Sequence, residues 1–557
     1  MTINDISNLF MFAGGLGMFL YGMHSMSEGI QKSAGQRMHE LLGILTNNRF
    51  MAILMGALIT AIIQSSGATT VMVVGFVNAG IMSLTQAVGV IMGANIGTCI
   101  TAWIVSLGQL GDAFKAISPS LYAPLIVGIG AFMIMFSKKQ KKRTIGEILT
   151  GLGFLFIGLD FMGSSAGAYT DLPIFTKAFA LFGSNPLLGI CIGVLVTAIM
   201  QSSSASVGIL QTLAASGGVV TATSAIYISL GSNIGSCFTA LLSSIGSPRN
   251  AKRAAVIHLS FNMIGAVVFA VIIYVFSLLN PVLTTMGISS VGISIFHTVF
   301  NIVCTVLLFP FADKLVALSG MIIKDHGEEA PAEEDEETVT LRHLDDRILE
   351  TPSFAVENAV LEVVHMGHIA LENIQRVFDC VLSYDEEKIA QVYKTEKTIN
   401  NMETLITEYL VKISNLALNE DQHTMINNLF YSVSDIERVG DHAENIAELV
   451  DSRKENPVPF SENALNDLKE IMTTAGKAFA CSIKAREEMS LAEANKVAKY
   501  EDEVDTMEEE LREKHISRLS KQLCDPTNGV IFLDIISNLE RISDHAYNLA
   551  GYVMSER

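Results

Sequence analysis

Between Met1 and Ile323 the chain carries only 22 charged side chains, 14 Lys or Arg against 8 Asp or Glu, gathered mostly in short clusters between long apolar runs. A soluble domain of that length draws about a quarter of its residues from the charged types. Here the apolar runs instead reach the roughly 20 residues that cross the hydrocarbon of a bilayer. A polytopic membrane domain surrounded by lipid is predicted. The remainder, Lys324–Arg557, reverses the balance with 23 basic residues against 49 acidic, which makes the 557-residue chain net −20. Nucleic acid is excluded as a partner, because phosphate backbones are gripped by clustered Lys and Arg. The first apolar stretch, from about Leu9 to Ile30, has no basic region before it and is long enough to span, so a retained helix is expected. The seven cysteines show no C-x-x-C spacing and suggest neither a disulfide framework nor a zinc site.

The membrane part repeats itself at an offset of about 137 residues. Gly15-Leu16-Gly17-Met18-Phe19-Leu20-Tyr21-Gly22 returns as Gly151-Leu152-Gly153-Phe154-Leu155-Phe156-Ile157-Gly158. Thr60-Ala61-Ile62-Ile63-Gln64-Ser65-Ser66 returns as Thr197-Ala198-Ile199-Met200-Gln201-Ser202-Ser203, and Gly93-Ala94-Asn95-Ile96-Gly97-Thr98-Cys99 as Gly231-Ser232-Asn233-Ile234-Gly235-Ser236-Cys237. Loop charge suggests how the halves sit, since Lys and Arg accumulate on the cytoplasmic side. The loop after the first glycine-rich helix is basic in half one (Lys32, Arg37, Arg49), whereas its equivalent around Ala166–Asn185 has only Lys177 and Asp171. Oppositely oriented halves are predicted, with residues 1–137 and 144–290 as the repeats and 291–323 as a last span that returns the chain to the cytoplasm. Inverted repeats of this kind place a solute site near the midplane.

Each half has an apolar run broken by a small polar cluster: Gln64, Ser65, Ser66, Gly67, Thr69 and Thr70 in one, Gln201, Ser202, Ser203, Ser204 and Ser206 in the other. The flanking apolar stretches are short for full spans, so a broken or re-entrant helix is expected at each. At such a break, backbone N–H groups and the positive end of a helix can face an anion, while hydroxyl and carbonyl oxygens can face Na⁺. The alternative is that Ser and Gly only let helices pack closely. Recurrence at equivalent positions favours the site. Asn95, Thr98, Asn233 and Ser236 are second-rank candidates that helix packing explains nearly as well. His258, His297 and Asp160 lie in apolar segments and receive no site assignment, because buried histidines more often hydrogen-bond a neighbouring helix.

Paired Gln-Ser-Ser motifs, each followed by Gly-(Ala/Ser)-Asn-Ile-Gly, resemble the type II sodium/phosphate cotransporter family in its bacterial form, over about Leu9–Leu315. The resemblance implies Na⁺-coupled movement of inorganic phosphate by alternating access, with Gln64, Ser65, Ser66, Gln201, Ser202, Ser203 and Ser204 lining the shared site. Ser247-Pro248-Arg249-Asn250 and His258–Asn262 also look like family sequence. The segment after Trp103 lacks the aspartate of electrogenic members.

Glu328–Glu337 reads as a solvated acidic linker within 324–350. Beyond it, residues 351–557 have helical periodicity, few glycines and charged outer faces, which predicts a helical bundle. The whole chain is thus expected to be all-α. This part repeats too: Lys394-Thr395-Glu396 through Met402-Glu403 matches Lys499-Tyr500-Glu501 through Met507-Glu508, and Glu437-Arg438-Val439-Gly440-Asp441-His442 matches Glu540-Arg541-Ile542-Ser543-Asp544-His545. Two related three-helix units are predicted. In the pairs Glu437 with Asp441, Glu501 with Asp505, and Glu540 with Asp544, both carboxylates project from one helix face. Together they supply hard oxygen ligands for a divalent or ferric ion. A solvated acidic face paired to Arg438 and Arg541 is the alternative for any single pair. The segment Thr351–Met554 resembles the PhoU family of phosphate-signalling regulators, whose Glu-x-x-x-Asp motifs bind metal clusters. Asn400 stands where an Asp would complete the motif after Glu396.

The expected function is therefore a secondary carrier of phosphate with a cytoplasmic regulatory domain. A phosphate exporter, or a phosphate-sensing membrane receptor of the same fold, is the competing reading. No G-x-x-x-x-G-K-[ST] loop is present to drive an ATP-dependent pump, and no nucleophile and base pair points to an enzyme. The resemblance to PhoU implies a phosphate-signalling protein as a partner of the C-terminal domain, and a second copy of the chain, forming a homodimer, is a further candidate partner.

Overall fold

The computed structural model describes residues 3–43, 48–78, 82–109, 119–169, 172–217, 220–324, 341, 344–452, 460–521 and 525–556. The Arg37 side chain, Asp171, Cys524 and the acidic run Glu328–Glu337 lie outside them. Among the described residues the regular structure is helical, apart from an isolated bridge between Thr221 and Gly287. Two compact units form, Met1–Glu328 with Asp345–Phe354, and Glu329–Leu344 with Ala355–Arg557.

The first unit opens with α1 (Ile3–Gly43), α2 (Arg49–Ile63), α3 (Ser66–Asn78), α4 (Leu84–Gly97), α5 (Cys99–Leu107) and α6 (Pro119–Phe136). The second half answers with α7 (Gln140–Gly167), α8 (Pro173–Ser184), α9 (Pro186–Met200), α10 (Ser203–Ala215), α11 (Ala222–Gly235) and α12 (Cys237–Ser243). The chain continues through α13 (Arg249–Leu279), α14 (Val282–Thr285), α15 (Ser290–Leu308) and α16 (Ala312–Ile322). Equivalent helices start on equivalent caps. Asn48 accepts from Phe50 N at the head of α2, as Asn185 accepts from Leu188 N at the head of α9. Ser83 and Thr221 do the same for α4 and α11. Such caps satisfy first-turn N–H groups that have no intrahelical acceptor. Lys32 lies within α1 rather than in a loop, and pairs there with Glu147 of α7 at 2.9 Å.

Glycine contacts fix the directions. Along α1, Gly15, Gly22 and Gly29 abut Gly158, Leu155 and Ile148 of α7 in descending order, so these equivalent helices run antiparallel. The contact is reciprocal: a Cβ on Gly22 would lie 2.6 Å from Gly151 O, and one on Gly151 would lie 2.8 Å from Gly22 O. That self-complementary contact is what a two-fold axis between the halves produces, and it establishes the inverted topology. Within each half, α2 runs parallel to α4, and α9 parallel to α11. A Cβ on Gly93 would come within 2.0 Å of Ile53 O, and one on Gly231 within 2.1 Å of Ile190 O. Only a residue without Cβ permits this approach, as in other membrane helix pairs.

Seven described helical stretches are long and apolar enough to cross a membrane, three of them consecutive helices taken together (α4 with α5, α11 with α12, α15 with α16) and one the helix Pro352–Leu382, and the bent pair Thr176–Ser184 and Pro186–Met200 raises the count to eight. The helices flanking the polar clusters are shorter, 15 and 13 residues in each half, as expected of broken spans. Leu125, Phe132 and Met135 of α6 and Val267, Val271 and Val275 of α13 are exposed. In a multi-pass membrane protein such faces meet lipid.

The second unit is a bundle in which α17 (Pro352–Leu382), α18 (Glu386–Ser414) and α19 (Glu420–Ser452) precede α20 (Glu462–Glu488), α21 (Leu491–Ser520) and α22 (Pro526–Ser555). Buried Ile399, Ile406, Leu429, Ile436 and Ala443 in the first set, and Phe479, Val497, Ile535, Leu539 and Ala546 in the second, recur at helical spacing and form the core. Helices α19 and α22 join the sets through Asp435, which accepts from Tyr552 Oη at 2.8 Å and pairs with His545 Nδ1 at 2.7 Å.

Candidate functional site

The polar breaks have one geometry in both halves. Gln64 has φ 58° and ψ 19°, and Gln201 has φ 54° and ψ 19°. Among the described residues only these two and Met489 are non-glycine residues with positive φ. A left-handed glutamine is a strained residue, and its repetition at both breaks marks the position as one the fold over-determines. Each glutamine ends one helix and hands over to a serine that caps the next. Ser65 Oγ accepts from Ala68 N at 3.1 Å, and Ser202 Oγ accepts from Ala205 N at 3.2 Å. The glutamine amides fold back alike, donating to Ala61 O and Ala198 O.

The remaining predicted residues spread along these helices. Gln64, Ser65, Ser202 and Ser204 are half-buried and Gln201 is exposed, whereas Ser66, Thr69, Ser203 and Ser206 are buried. Thr69 Oγ1 is 3.0 Å from Thr60 Oγ1, and Ser206 Oγ is 2.9 Å from Ser232 Oγ, each tying a break to its own half. Asn95, Thr98 and Ser236 bond within their own helices, to Ile91 O, Ala94 O and Asn233 O. Asn233 instead reaches α15, donating from Nδ2 to Asn301 Oδ1 at 3.1 Å, with His297 Nε2 3.1 Å from its Oδ1.

Each break faces the opposite half. Helix α3 packs on α12, and a Cβ on Gly67 would lie 3.2 Å from Thr239 Oγ1. Helix α10 packs on α5, with Ala205 in a cluster that includes Phe19 and Val105. Two hydroxyls absent from the sequence-based set join here. Thr101 donates to Gln64 Oε1 at 3.0 Å, and Thr239 occupies the equivalent position in half two. Their signal was in the third repeat block, two residues past each repeated Cys99 and Cys237. Gln211 was also missed, having no counterpart in half one. Fully buried, it donates to Ala102 O at 3.0 Å and to Ser294 Oγ at 2.8 Å. A further repeat escaped notice because its offset is 39 residues rather than 137: His258-Leu-Ser-Phe261-Asn262 on α13 and His297-Thr-Val-Phe300-Asn301 on α15. Both supply the same contacts, with Cys237 Sγ facing His258 O at 3.6 Å and Cys99 Sγ facing His297 O at 3.7 Å.

In the second unit, Glu501, Asp505 and Asp544 each place an oxygen within 4.8 Å of the others. Burial first, then neighbouring carboxylates, pushes Glu501, Asp505 and Glu540 above the usual carboxylate range. Arg541 approaches Glu540 and Asp544 at 3.4 Å each, so the arginine-paired alternative is partly realised at this cluster. In the preceding set, Glu437 is pushed up to about 7 by burial, with Asp441 and Glu403 adding to it. There Asn400 Nδ2 donates to Glu396 Oε1, so a donor stands where Asp505 offers an oxygen. Among the described residues only the Glu501, Asp505 and Asp544 cluster gathers three ligand atoms.

Antiparallel repeats with matched polar breaks, joined to an acidic helical bundle, define a multi-pass membrane protein of the inverted-repeat class with an attached helical domain. A model of the Na⁺/Pi-cotransporter family matches residues 18–164 and 173–302, and a PhoU domain model matches 363–450 and 468–553. The chain belongs to the Na⁺/Pi-cotransporter family in its membrane part and carries a PhoU domain in its C-terminal part. It is 25% identical over 453 residues to YjbB of Escherichia coli (strain K12), named as a candidate inorganic phosphate export protein, spanning 81% of this chain and 80% of YjbB. It is 33% identical over 109 residues to the human sodium-dependent phosphate transport protein 2B, 19% of this chain and 16% of that one. PhoU from Pseudomonas aeruginosa aligns over 36% of this chain and 96% of its own at 22% identity and a TM-score of 0.35.

Proposed function

We propose that this protein is a sodium-coupled carrier of inorganic phosphate that works by alternating access, with its PhoU-type domain on the cytoplasmic side controlling it. The observation that carries the reading is the pair of left-handed glutamines, each delivering the chain into the N-terminus of a serine-capped helix that faces the other half. Helix N-termini and hydroxyls suit a phosphate oxyanion, and carbonyl and amide oxygens suit Na⁺. Gln64, Ser65, Ser66, Thr69, Gln201, Ser202, Ser203 and Ser204 would form that shared site, with Thr101 and Thr239 beside it and Asn95, Thr98, Asn233 and Ser236 supporting. Neutral ligands let the anion leave, which a fixed cation would hinder.

In the C-terminal domain, Glu501, Asp505 and Asp544 fit a divalent cation: three converging carboxylates offer a hard-oxygen set that a dication would neutralise. Direction of flux follows the gradients. Net export is a second reading, favoured by the likeness to YjbB along 81% of this chain.

The test uses the full chain in proteoliposomes with labelled phosphate. An inward Na⁺ gradient is expected to drive phosphate accumulation above equilibrium, and collapsing that gradient should abolish it. Binding of phosphate without any Na⁺-dependent movement would instead establish a receptor.

A further inference from the structure

The His-x-x-Phe-Asn repeat supplies two equivalent docking points, and the structure uses only one of them. On α15 the point is engaged: Asn233 holds His297 Nε2 and Asn301 Oδ1, both at 3.1 Å, while His297 Nδ1 has no hydrogen-bond partner. On α13 both ring nitrogens of His258, and Asn262 Oδ1, have no hydrogen-bond partner, although each residue is 1% exposed. The two-fold relation names the missing partner. Cys99 of half one packs on the α15 point and Cys237 of half two on the α13 point, while Asn233 of half two crosses to α15. Asn95 of half one is the residue that would cross to α13, and α4 does pack against α13. Its Nδ2 donates instead to Ile91 O of its own helix.

A buried imidazole with neither nitrogen paired is costly, so the unsatisfied point on α13 calls for an explanation, and a second state in which it is paired supplies one. We propose that His258 with Asn262, and His297 with Asn301, are a matched pair of latches engaged in turn by Asn95 and Asn233, and that the engaged latch sets which face of the carrier is open. Exchange between them swaps one set of hydrogen bonds for an equivalent set, so the two states stay close in energy, as alternating access requires. These are positioning residues, acting through the helices that carry the Asn-Ile-Gly turns. The inference rests on the carrier reading above.

The experiment labels Ala61→Cys and Ala198→Cys reporters, half-buried beside the two breaks and outside the proposed ligand set, in the full chain with a membrane-impermeant thiol reagent. It is applied from either face, in intact cells and in inverted vesicles, and read peptide by peptide by mass spectrometry so that native cysteines do not interfere. Asn233→Ala and His297→Ala are expected to shift the ratio of labelling between faces by about tenfold, the bias that one lost hydrogen bond commands. Asn95→Ala and His258→Ala should leave it unchanged or move it the other way, and His297→Gln, which keeps a donor, should partly restore it. If an alanine variant fails to elute as a folded species, the glutamine variants at His258 and His297 carry the comparison. Unchanged sidedness in folded Asn233 and His297 variants, or shifts in the same direction for both histidines, would overturn the proposal. If the parent chain never changes its labelled face when Na⁺ and phosphate are varied, the carrier reading itself fails. A parent that switches with insensitive variants removes the latch alone.

Discussion

Among the described residues of the membrane unit, Gln64 and Gln201 are the two non-glycine residues that hold a backbone conformation L side chains avoid. Glycine adopts it freely. Gln64→Gly and Gln201→Gly should therefore leave stability within about 1 kcal/mol while removing the amide. Thermal unfolding in detergent should be near that of the parent, and phosphate uptake should be lost; retained uptake in both variants would remove these side chains from the site. In the C-terminal domain, Glu437 titrates at about 7 in the folded chain and near the ordinary glutamate value when unfolded. Between those values folding takes up a proton, so this group's contribution falls as pH rises through the window and is unfavourable above it. Glu437→Gln should raise the melting temperature of the PhoU-type domain at pH 8 and change it little at pH 4. Mg²⁺ or Mn²⁺ should raise the parent's melting temperature more at pH 8 than at pH 5, since Glu501 and Asp505 are raised by burial and by neighbouring carboxylates and protons compete there with the cation.

Among elements, the α1 and α7 crossing leaves no room for a side chain at its contact glycines. A Cβ on Gly22 would sit 2.4 Å from Leu155 N, which is backbone and cannot yield. Gly22→Val is expected to cost at least the 1–3 kcal/mol typical of overpacking, about 3 kcal/mol here, and to show as a broadened elution profile and a lowered melting temperature. By contrast Gly14 and Gly17 meet nothing within 4 Å, and the same change there should be tolerated. A second element lies just ahead of the PhoU-type domain. The 3-10 turn Asp346–Glu350 packs on α3: Ile348 is fully buried against Gly75, Asn78 donates to Asp345 at 2.6 Å, and Arg347 donates from Nε to Ser243 O at 2.8 Å. It thereby ties α3 of half one to α12 of half two. Ending the chain at Leu341 should cost the membrane unit about 2 kcal/mol, the burial of one isoleucine, whereas ending it after Phe354 should not. Hydrogen exchange along α3 would separate the two truncations.

At the scale of the whole molecule, removing the PhoU-type domain after Phe354 should leave Na⁺-driven phosphate movement in place and alter its control. Complete loss of transport in a folded truncation would contradict a modular arrangement. The membrane class, the halves and their inversion were legible in residues, because apolar length and block repeats are local or additive signals; the charge used as loop charge was less direct, since Lys32 lies within α1. The six-helix domain and its carboxylate pairs were legible for the same reason, as i to i+4 spacing fixes a helix face.

Sequence by itself determined that this chain is a duplicated membrane protein with an acidic helical appendage, and where each polar break falls. Only tertiary structure decided that both breaks turn through a left-handed glutamine, that Thr101 reaches Gln64, and that Asn233 is docked on α15 while His258 is not. Those outcomes depend on which helices meet across the two-fold relation, and the energies that choose a partner arise from close approach between residues far apart in the chain.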